Sequence, residues 1–137
     1  PRPTRVLVVD DHRETVDLLA ETLTRRGFEP LRAYSGTDAL LLAARDRPDA
    51  IVLDLLMPGI SGFEVVRRLR ESPETGEIPV LLFSFKELTP EERESLPGNV
   101  RTVVSKSRAS DLLLALQRLS QQANGRRARP RPPTEAG

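Results

Sequence analysis

The sequence predicts an α/β fold in which one open parallel sheet carries helices on both faces. Apolar stretches rich in Val, Leu and Ile alternate along the chain with stretches whose apolar residues recur at helical spacing, and this alternation is typical of doubly wound sheets. Several apolar stretches are continuous, as expected for central parallel strands that are buried on both faces. At 137 residues, the chain is long enough for one such domain and a tail.

Five short segments are predicted strands. The first, third and fourth are apolar throughout until a polar residue ends them, which fits a central position in a parallel sheet. The second contains Pro30, and because proline cannot donate to a sheet ladder, we place this strand at an edge. The predicted strands span about residues 5–10, 28–33, 50–54, 79–84 and 100–104.

Amphipathic helices are predicted between and after the strands. In the first and last helices, four apolar residues fall at i, i+3, i+4 and i+7 and form one stripe, and Gly27 ends the first helix. Ser35 and Thr89 begin segments that look like helix N-termini, the second with Pro90 at the first helical position. A further helix follows Gly62. The two stripes comprise Val16, Leu19, Ala20 and Leu23, and Ala109, Leu112, Leu113 and Leu116.

The composition excludes several classes of site. The chain has no cysteine, which excludes disulfides, thiolate metal sites and a cysteine nucleophile, and fits a reducing, cytoplasmic location. No apolar run approaches the roughly 20 residues needed to cross a bilayer, and the first residues lack the apolar segment of a signal peptide. The chain does not start with Met, so we expect it to be part of a longer protein.

The last residues differ in composition from the rest. Residues 124–137 carry four arginines and one glutamate, a net charge of +3, which leaves −2 on residues 1–123 from the total of +1. Because these residues lack apolar periodicity and contain prolines, we predict a folded domain of residues 1–123 followed by a disordered basic tail rich in Pro and Arg. Composition favours a solvated linker or chain end over a nucleic-acid contact, and we expect no nucleic-acid binding by the domain.

Polar side chains that can do chemistry follow four of the predicted strands. Asp10 and Asp11 follow the first strand, Asp54 follows the third, Ser84 ends the fourth, and Lys106 lies shortly after the fifth. Because the carboxyl ends of parallel strands meet at one edge of an open sheet, where such sheets bind ligands, we expect these side chains to share one site.

The chemistry of this set indicates a phosphoryl group and a cation. Three carboxylates close together would repel, so the site would take up protons or bind a cation, and oxygen ligands without cysteine favour a hard ion such as Mg²⁺. Lys106 adds a positive charge and Ser84 a hydroxyl donor, and both suit phosphoryl oxygens. An aspartate can attack phosphorus, and Asp54, on a central strand, is the best candidate for that nucleophile.

In this order and at this spacing, the residues resemble the receiver domains of two-component signalling, over about residues 4–121. Residues 88–98 further look like receivers attached to hybrid sensor histidine kinases. The resemblance implies a flavodoxin-like fold, a three-layer (βα)5 sandwich with parallel strands in the order 2-1-3-4-5. It is carried by Asp10-Asp11, by Asp54-Leu55-Leu56-Met57-Pro58-Gly59-Ile60-Ser61-Gly62, by Ser84 and by Lys106.

The resemblance also implies roles in phosphoryl transfer. Asp54 would accept the phosphoryl group from the phosphohistidine of a histidine kinase or from a small acyl phosphate. Lys106 would pair with one phosphoryl oxygen, and Ser84 would move to hydrogen-bond another. Pro58 and Gly62 would shape the loop beyond the phosphoacceptor. The domain would then act as a phosphorylation switch for partner binding, a signalling module that promotes its own phosphorylation and slow dephosphorylation, rather than an enzyme.

The metal site implied by the resemblance uses the same edge of the sheet. Asp11 and Asp54 would ligate Mg²⁺ directly, together with the backbone carbonyl of Leu56. Asp10 would act largely through water. Each of these aspartates, taken alone, could equally be a strand-end or helix cap, and their joint occurrence with Lys106 favours the functional interpretation.

Four positions bear on how such a switch would work. Val103 stands where many receivers have Tyr or Phe, so the usual coupling to an output face is in doubt. Phe85 stands where a small residue is common, and its bulk would restrict access or loop movement. The apolar side chain of Leu56 cannot position a water, which predicts slow self-dephosphorylation. His12, the sole histidine, is interpreted as a solvated residue of the first helical turn rather than a catalytic one.

Three alternatives stay open at this point. A pseudo-receiver would keep the fold and bind partners without being phosphorylated. A phosphatase with a nucleophilic aspartate usually needs a second acid two residues later, where this chain has Leu56. A flavin-binding flavodoxin usually has a loop rich in Ser, Thr and Gly after the first strand, which here is acidic. The expected partners are a sensor histidine kinase or a histidine phosphotransfer domain, and linked kinase or output domains outside this chain. We expect no membrane association, and a homodimer stays open.

Overall fold

A computed structural model describes the backbone of residues 2–128 and the side chains of residues 2–122. Five parallel strands form one sheet in the order β2-β1-β3-β4-β5, which confirms the predicted fold class and strand order. The Pro30-containing strand lies at one edge, as its missing N–H donor predicts. The strands are β1 (Arg5–Val9), β2 (Glu29–Ala33), β3 (Ala50–Leu53), β4 (Val80–Ser84) and β5 (Val100–Ser105).

Each strand except the last is followed by one α-helix, and a short 3-10 turn (Lys106–Arg108) joins β5 to the last helix. Ser35 Oγ accepts from the backbone N–H of Asp38, and Thr89 and Glu92 form a capping box, so both predicted starts are confirmed. Gly27 adopts φ +89° beyond the first helix, a conformation that favours glycine. The helices are α1 (Arg13–Arg25), α2 (Gly36–Asp46), α3 (Gly62–Glu71), α4 (Pro90–Glu94) and α5 (Ala109–Ala128).

Apolar side chains cover both faces of the sheet, because alternate strand residues point to opposite faces. On one face, Leu7 and Leu53 belong to the cluster that includes residues of α2 and α3. On the other, Val6 and Val52 belong to the cluster that includes residues of α1 and α5. The stripe of α1 is buried as predicted. In α5 the prediction is less accurate, since Ala109 is exposed at the first position of the helix.

The last helix is longer than the sequence predicts. Helix α5 continues to Ala128, past residue 123, and the domain boundary predicted there stays a prediction. The prolines that were expected to forbid a helix begin at Pro130, so nothing in residues 124–128 prevents the helix from continuing. The rest of the predicted tail, residues 129–137, lies outside the described residues. Within residues 2–128, no helix is both long enough and apolar enough to span a bilayer.

Candidate functional site

Strand pairing brings the predicted site residues to one edge of the sheet. Val9 of β1 pairs with Leu53 of β3, so the residues that follow them, Asp10 and Asp54, lie side by side. Both are almost fully buried. Ser84, the last residue of β4, pairs with the end of β5. The connection from β5 to α5 therefore starts at the same edge. The predicted convergence is therefore present in the structure.

Both oxygens of the Asp54 carboxylate are engaged. Oδ1 accepts a hydrogen bond of 2.6 Å from the hydroxyl of Ser84 and one of 3.2 Å from the backbone N–H of Leu56. Oδ2 lies 3.1 Å from Nζ of Lys106. Burial of a carboxylate costs free energy unless its oxygens have partners, and here a hydroxyl and an ammonium contact opposite oxygens.

Lys106 connects two of the three carboxylates. Its Nζ lies 2.5 Å from Oδ2 of Asp10, and its side chain is 9% exposed. Burial by itself would lower the pKa of the Lys106 ammonium, but the contacts with Asp10 and Asp54 outweigh it and raise that pKa above its ordinary value. The ammonium therefore stays charged well beyond neutral pH. The ring of Phe85 lies 5.6 Å from Nζ on the solvent side of the site, where the phenylalanine is 70% exposed.

Asp11 and His12 complete the acidic side of the pocket. Oδ1 of Asp11 is buried and, among the described residues, finds no hydrogen-bond donor. The backbone N–H of His12 donates to Oδ1 of Asp10 over 3.0 Å, and the Nδ1 atom of its ring lies 3.3 Å from the same oxygen. Candidate ligand atoms of Asp10, Asp11 and His12 all lie within 4.8 Å of one another.

This donor set fits the cation that the sequence predicts. We refer to Asp10, Asp11 and Asp54 as the carboxylate cluster; it sets three carboxylates against the one ammonium of Lys106. A buried carboxylate oxygen without a donor, such as Oδ1 of Asp11, costs free energy that a cation would recover. All-oxygen ligands with further positions left to water are the arrangement that Mg²⁺ prefers.

The loop after β3 is held close to Asp54 by Gly62. A Cβ atom at this position would lie 2.3 Å from the carbonyl oxygen of Asp54 and 2.6 Å from Cα of Leu55, so no larger residue fits. Gly59 takes φ +75° in the same loop. The side chain of Leu56 is exposed, and Leu56 contacts Asp54 through its backbone N–H.

Two contacts at this edge are not predicted by the sequence. His12 is solvated as expected, with its imidazole 72% exposed, yet Nδ1 also faces the carboxylates of Asp10 and Asp11. The position of the histidine directly after the acidic pair, at the start of α1, is a signal for this contact. The second is the contact of Lys106 with Asp10 in addition to Asp54.

Comparison with known proteins agrees with this geometry. The family model described as the response regulator receiver domain matches residues 6–118. Response regulator PleD of Caulobacter vibrioides is 49% identical over 80 residues, which cover 58% of this chain and 18% of PleD. Response regulator MprA of Mycolicibacterium vanbaalenii is 37% identical over 116 residues, which cover 85% of this chain and 49% of MprA. The chain thus spans half or less of these relatives.

Solved structures show the same likeness. The N-terminal domain of a response regulator receiver protein from Methanoculleus marisnigri superimposes with a TM-score of 0.71 at 33% identity, covering 83% of this chain and 94% of that one. The chemotaxis protein CheY4 of Vibrio cholerae superimposes with a TM-score of 0.74 at 29% identity, covering 85% of this chain and 98% of that one.

Proposed function

Because the chain belongs to the response regulator receiver domain family, we propose that it is a phosphoacceptor in a two-component phosphorelay, with Asp54 as the residue that is phosphorylated. The donor would be the phosphohistidine of a sensor histidine kinase or of a histidine phosphotransfer domain. One observation carries the proposal: the carboxylate of Asp54 is held at the edge of the sheet between a hydroxyl and an ammonium, the two groups that a phosphoryl oxygen would need.

The transfer itself requires little beyond positioning and charge neutralisation. An oxygen of Asp54 attacks phosphorus, the P–N bond of the phosphohistidine breaks, and its electron pair stays with the departing imidazole. The product is an aspartyl phosphate. The Lys106 ammonium then pairs with one phosphoryl oxygen. The Ser84 hydroxyl donates to Asp54 Oδ1 in the unmodified protein, and after transfer it can donate to a second phosphoryl oxygen instead.

We assign the cation site to the carboxylate cluster. Asp11 and Asp54 would hold Mg²⁺ together with the backbone carbonyl of Leu56, and Asp10 would act largely through water. The contacts of Asp11 support its role as a direct ligand, since its Oδ1 has no hydrogen-bond donor within the described chain. A Mg²⁺ ion bound there would neutralise charge on the phosphoryl oxygens during transfer.

Phosphorylation would change partner binding by moving the loop after β4. The backbone N–H of Lys86 lies 3.3 Å from Ser84 Oγ, so a shift of that hydroxyl toward the phosphoryl group pulls on the same loop. Val103 has no aromatic ring that could take part in this movement. In this proposal the domain is a cytoplasmic signalling module that dephosphorylates slowly, because the exposed Leu56 side chain offers no group to position a hydrolytic water.

A pseudo-receiver, which binds partners without being phosphorylated, is the second candidate. The exposed ring of Phe85 beside Lys106 favours it, because a bulky side chain at the mouth of the pocket can hinder a donor. The complete set of acidic groups, hydroxyl and ammonium favours the phosphoacceptor. Linked kinase or output domains and a homodimer are compatible with either candidate.

Phosphorylation can be tested directly by mass spectrometry. The protein is incubated with acetyl phosphate and Mg²⁺, and we expect a mass gain of one phosphoryl group that Asp54→Asn abolishes. Asp38→Asn, which removes an exposed carboxylate at the start of α2, is the matched control and should be modified like the wild type. An unmodified wild-type protein under these conditions would favour the pseudo-receiver.

A further inference from the structure

We propose that a groove along the last strand of the sheet is a nucleotide-binding site, in which arginines hold the phosphates and an exposed phenylalanine contacts the base. The groove lies between α4 and α5 and is called the α4–α5 groove. Asp54 is not among its lining residues, so binding there goes beyond the proposed function and does not require phosphorylation. The lining includes Phe85, Arg93, Val103, Leu114 and Arg118.

The groove is open because little covers the last strand. Helix α4 has five residues and buries none of its side chains, and β5 is an edge strand of the sheet. As a result, Thr102 and Val103 of β5 are only partly buried, whereas every residue of the neighbouring β4 is buried. The space left has a volume of about 700 Å³, within the range of about 300 to 1,000 Å³ that is typical of small-molecule sites.

Two arginines of the groove have no partner. Arg93 of α4 and Arg118 of α5 are exposed and line the groove, and within the part of the chain whose side chains are described, neither guanidinium forms a hydrogen bond or an ion pair. Arg108, in the turn before α5, lies 3.8 Å from Asp111, at the long end of ion-pair distances. Two unpaired guanidinium groups and a third with a long ion pair are therefore available to an anion.

The charge of the groove is opposite to that of the domain as a whole. Residues 1–123 carry a net charge of −2, whereas the lining carries +2, from four cations and two acids. Lys86 contacts Glu92 outside the lining, so the arginines are the cations free to bind. The charged lining residues are Lys86, Arg93, Arg108, Arg118, Glu87 and Asp111.

The arrangement of these cations favours phosphate as the anion. Several guanidinium groups around so small a space suit an anion that carries several charges on a few atoms, which is a property of polyphosphates rather than of single carboxylates. The planar guanidinium group also binds phosphate oxygens through two parallel N–H donors. The phosphates of a nucleotide therefore fit the arginine-lined part of the groove.

Phe85 adds an apolar surface to the same groove. Its side chain is 70% exposed, which is unusual for a phenylalanine. Leu114 of α5, which is 47% exposed, lies in the lining as well. The bases of nucleotides stack on exposed aromatic side chains. Unpaired guanidinium groups and an exposed ring in one groove therefore match the two parts of a nucleotide, its phosphates and its base.

Isothermal titration calorimetry with ATP and with tripolyphosphate tests the site. The protein is titrated without divalent cations, so that neither the carboxylate cluster nor a metal–nucleotide complex contributes. We expect both ligands to bind, and Arg93→Met and Arg118→Met should each weaken the binding of both by about tenfold. Phe85→Ala should weaken the binding of ATP by about tenfold and leave that of tripolyphosphate unchanged, because only ATP has a base.

Arg101→Met is the matched control, because Arg101 is an exposed arginine of β5 that does not line the groove. It removes the same charge and should leave both affinities unchanged, and the arginines of residues 124–137 are common to all variants. Absence of ATP binding, an equal loss of affinity in Arg101→Met, or an ATP affinity that Phe85→Ala leaves unchanged would each overturn the nucleotide site. Displacement of ATP by an equal concentration of a glutamate-rich peptide would overturn it in favour of an acidic protein segment.

Discussion

The carboxylate cluster at the sheet edge and a second group of charges on the outside of α3 differ in how much water reaches them. At the sheet edge, Lys106 contacts Asp10 and Asp54, and all three side chains are less than a tenth exposed. On α3, four side chains pair with one another at helical spacing and remain between about a third and two thirds exposed. This second group, the α3 charge cluster, comprises Glu64, Arg67, Arg68 and Glu71.

The two clusters also differ in balance of charge. The α3 charge cluster sets two acids against two bases, and the pairs form within one helix, where each contributes little to stability. At the sheet edge, the one ammonium contacts two of the three carboxylates, so the repulsion among the carboxylates is compensated only in part. Short distances alone therefore do not indicate a strong contribution to stability; burial and imbalance identify the cluster that is prepared for a ligand.

Removal of the ammonium should give the largest effect. Lys106→Met leaves buried carboxylates without their cationic partner, so we expect the free energy of unfolding to fall by about 3 kcal/mol. Arg67→Met, the matched change in the α3 charge cluster, should leave it unchanged within the precision of the measurement, because water screens the remaining acids. Urea unfolding followed by circular dichroism measures both. Equal effects of the two substitutions would contradict the comparison.

Neutralising an acid at the same edge should have the opposite sign. Asp54→Asn removes one of three mutually repelling carboxylates, and Lys106 keeps its contact with Asp10. We therefore expect this variant to be at least as stable as the wild type in the same urea experiment, although the proposed function predicts that it is not phosphorylated. A large loss of stability would mean that the Asp54–Lys106 pair, rather than repulsion, dominates the energetics.

The backbone around the carboxylate cluster should be the next most sensitive feature. In Gly62→Ala, the added Cβ would collide with the backbone of Asp54 and Leu55, which cannot give way without moving the Asp54 side chain. We therefore expect the free energy of unfolding to fall by about 2 kcal/mol. Gly98→Ala is the control, because the nearest atom to its Cβ is the end of the Arg70 side chain at 3.7 Å. Comparable thermal midpoints for the two variants would be inconsistent with this account.

Much of the sheet edge could be predicted from the sequence, because the rules involved are local. A continuous apolar run followed by Asp54 or Ser84 indicates both a buried strand and the polar residue at its end. The parallel arrangement then brings those ends together. Pro30 likewise identified the edge strand from a missing donor.

The remaining features depend on geometry that spacing does not encode. Whether Nδ1 of His12 turns toward Asp10 and Asp11 depends on the backbone angles of one N-cap residue. Helix α5 extends past residue 123 to Ala128 because the prolines that disfavour a helix begin only at Pro130. The contact of Lys106 with Asp10 joins the end of β5 to the end of β1, with two strands between them, and no linear pattern reports it.

The hydroxyl at the sheet edge should have a smaller effect on stability. Ser84→Ala removes the 2.6 Å hydrogen bond to Asp54 Oδ1, while the N–H of Leu56 still donates to the same oxygen. We expect a loss of about 1 kcal/mol in urea unfolding and a lower rate of phosphorylation by acetyl phosphate. Ser84→Thr keeps the hydroxyl and should restore both. If the alanine variant were phosphorylated as fast as the wild type, Ser84 would have no part in the transfer.

The smallest effect should come from the α3 charge cluster, and it should appear in titration rather than in unfolding. Hydrogen bonds from Arg67 and Arg68 lower the pKa of Glu64 to about 2. Since this pKa is depressed in the folded state, the stability that Glu64 contributes is present above its unfolded pKa near 4.3 and disappears as the pH falls toward about 2.

Nuclear magnetic resonance of the side-chain carboxyl carbon can follow this titration. We expect Glu64 to be largely ionised at about pH 3, where an unpaired glutamate is mostly protonated, and expect Arg67→Met to move its midpoint upward. Because water surrounds the pair, high salt should move the midpoint in the same direction. If salt left the midpoint of Glu64 unchanged, the α3 charge cluster would be shielded from water like the carboxylate cluster, and the two clusters would not differ as described.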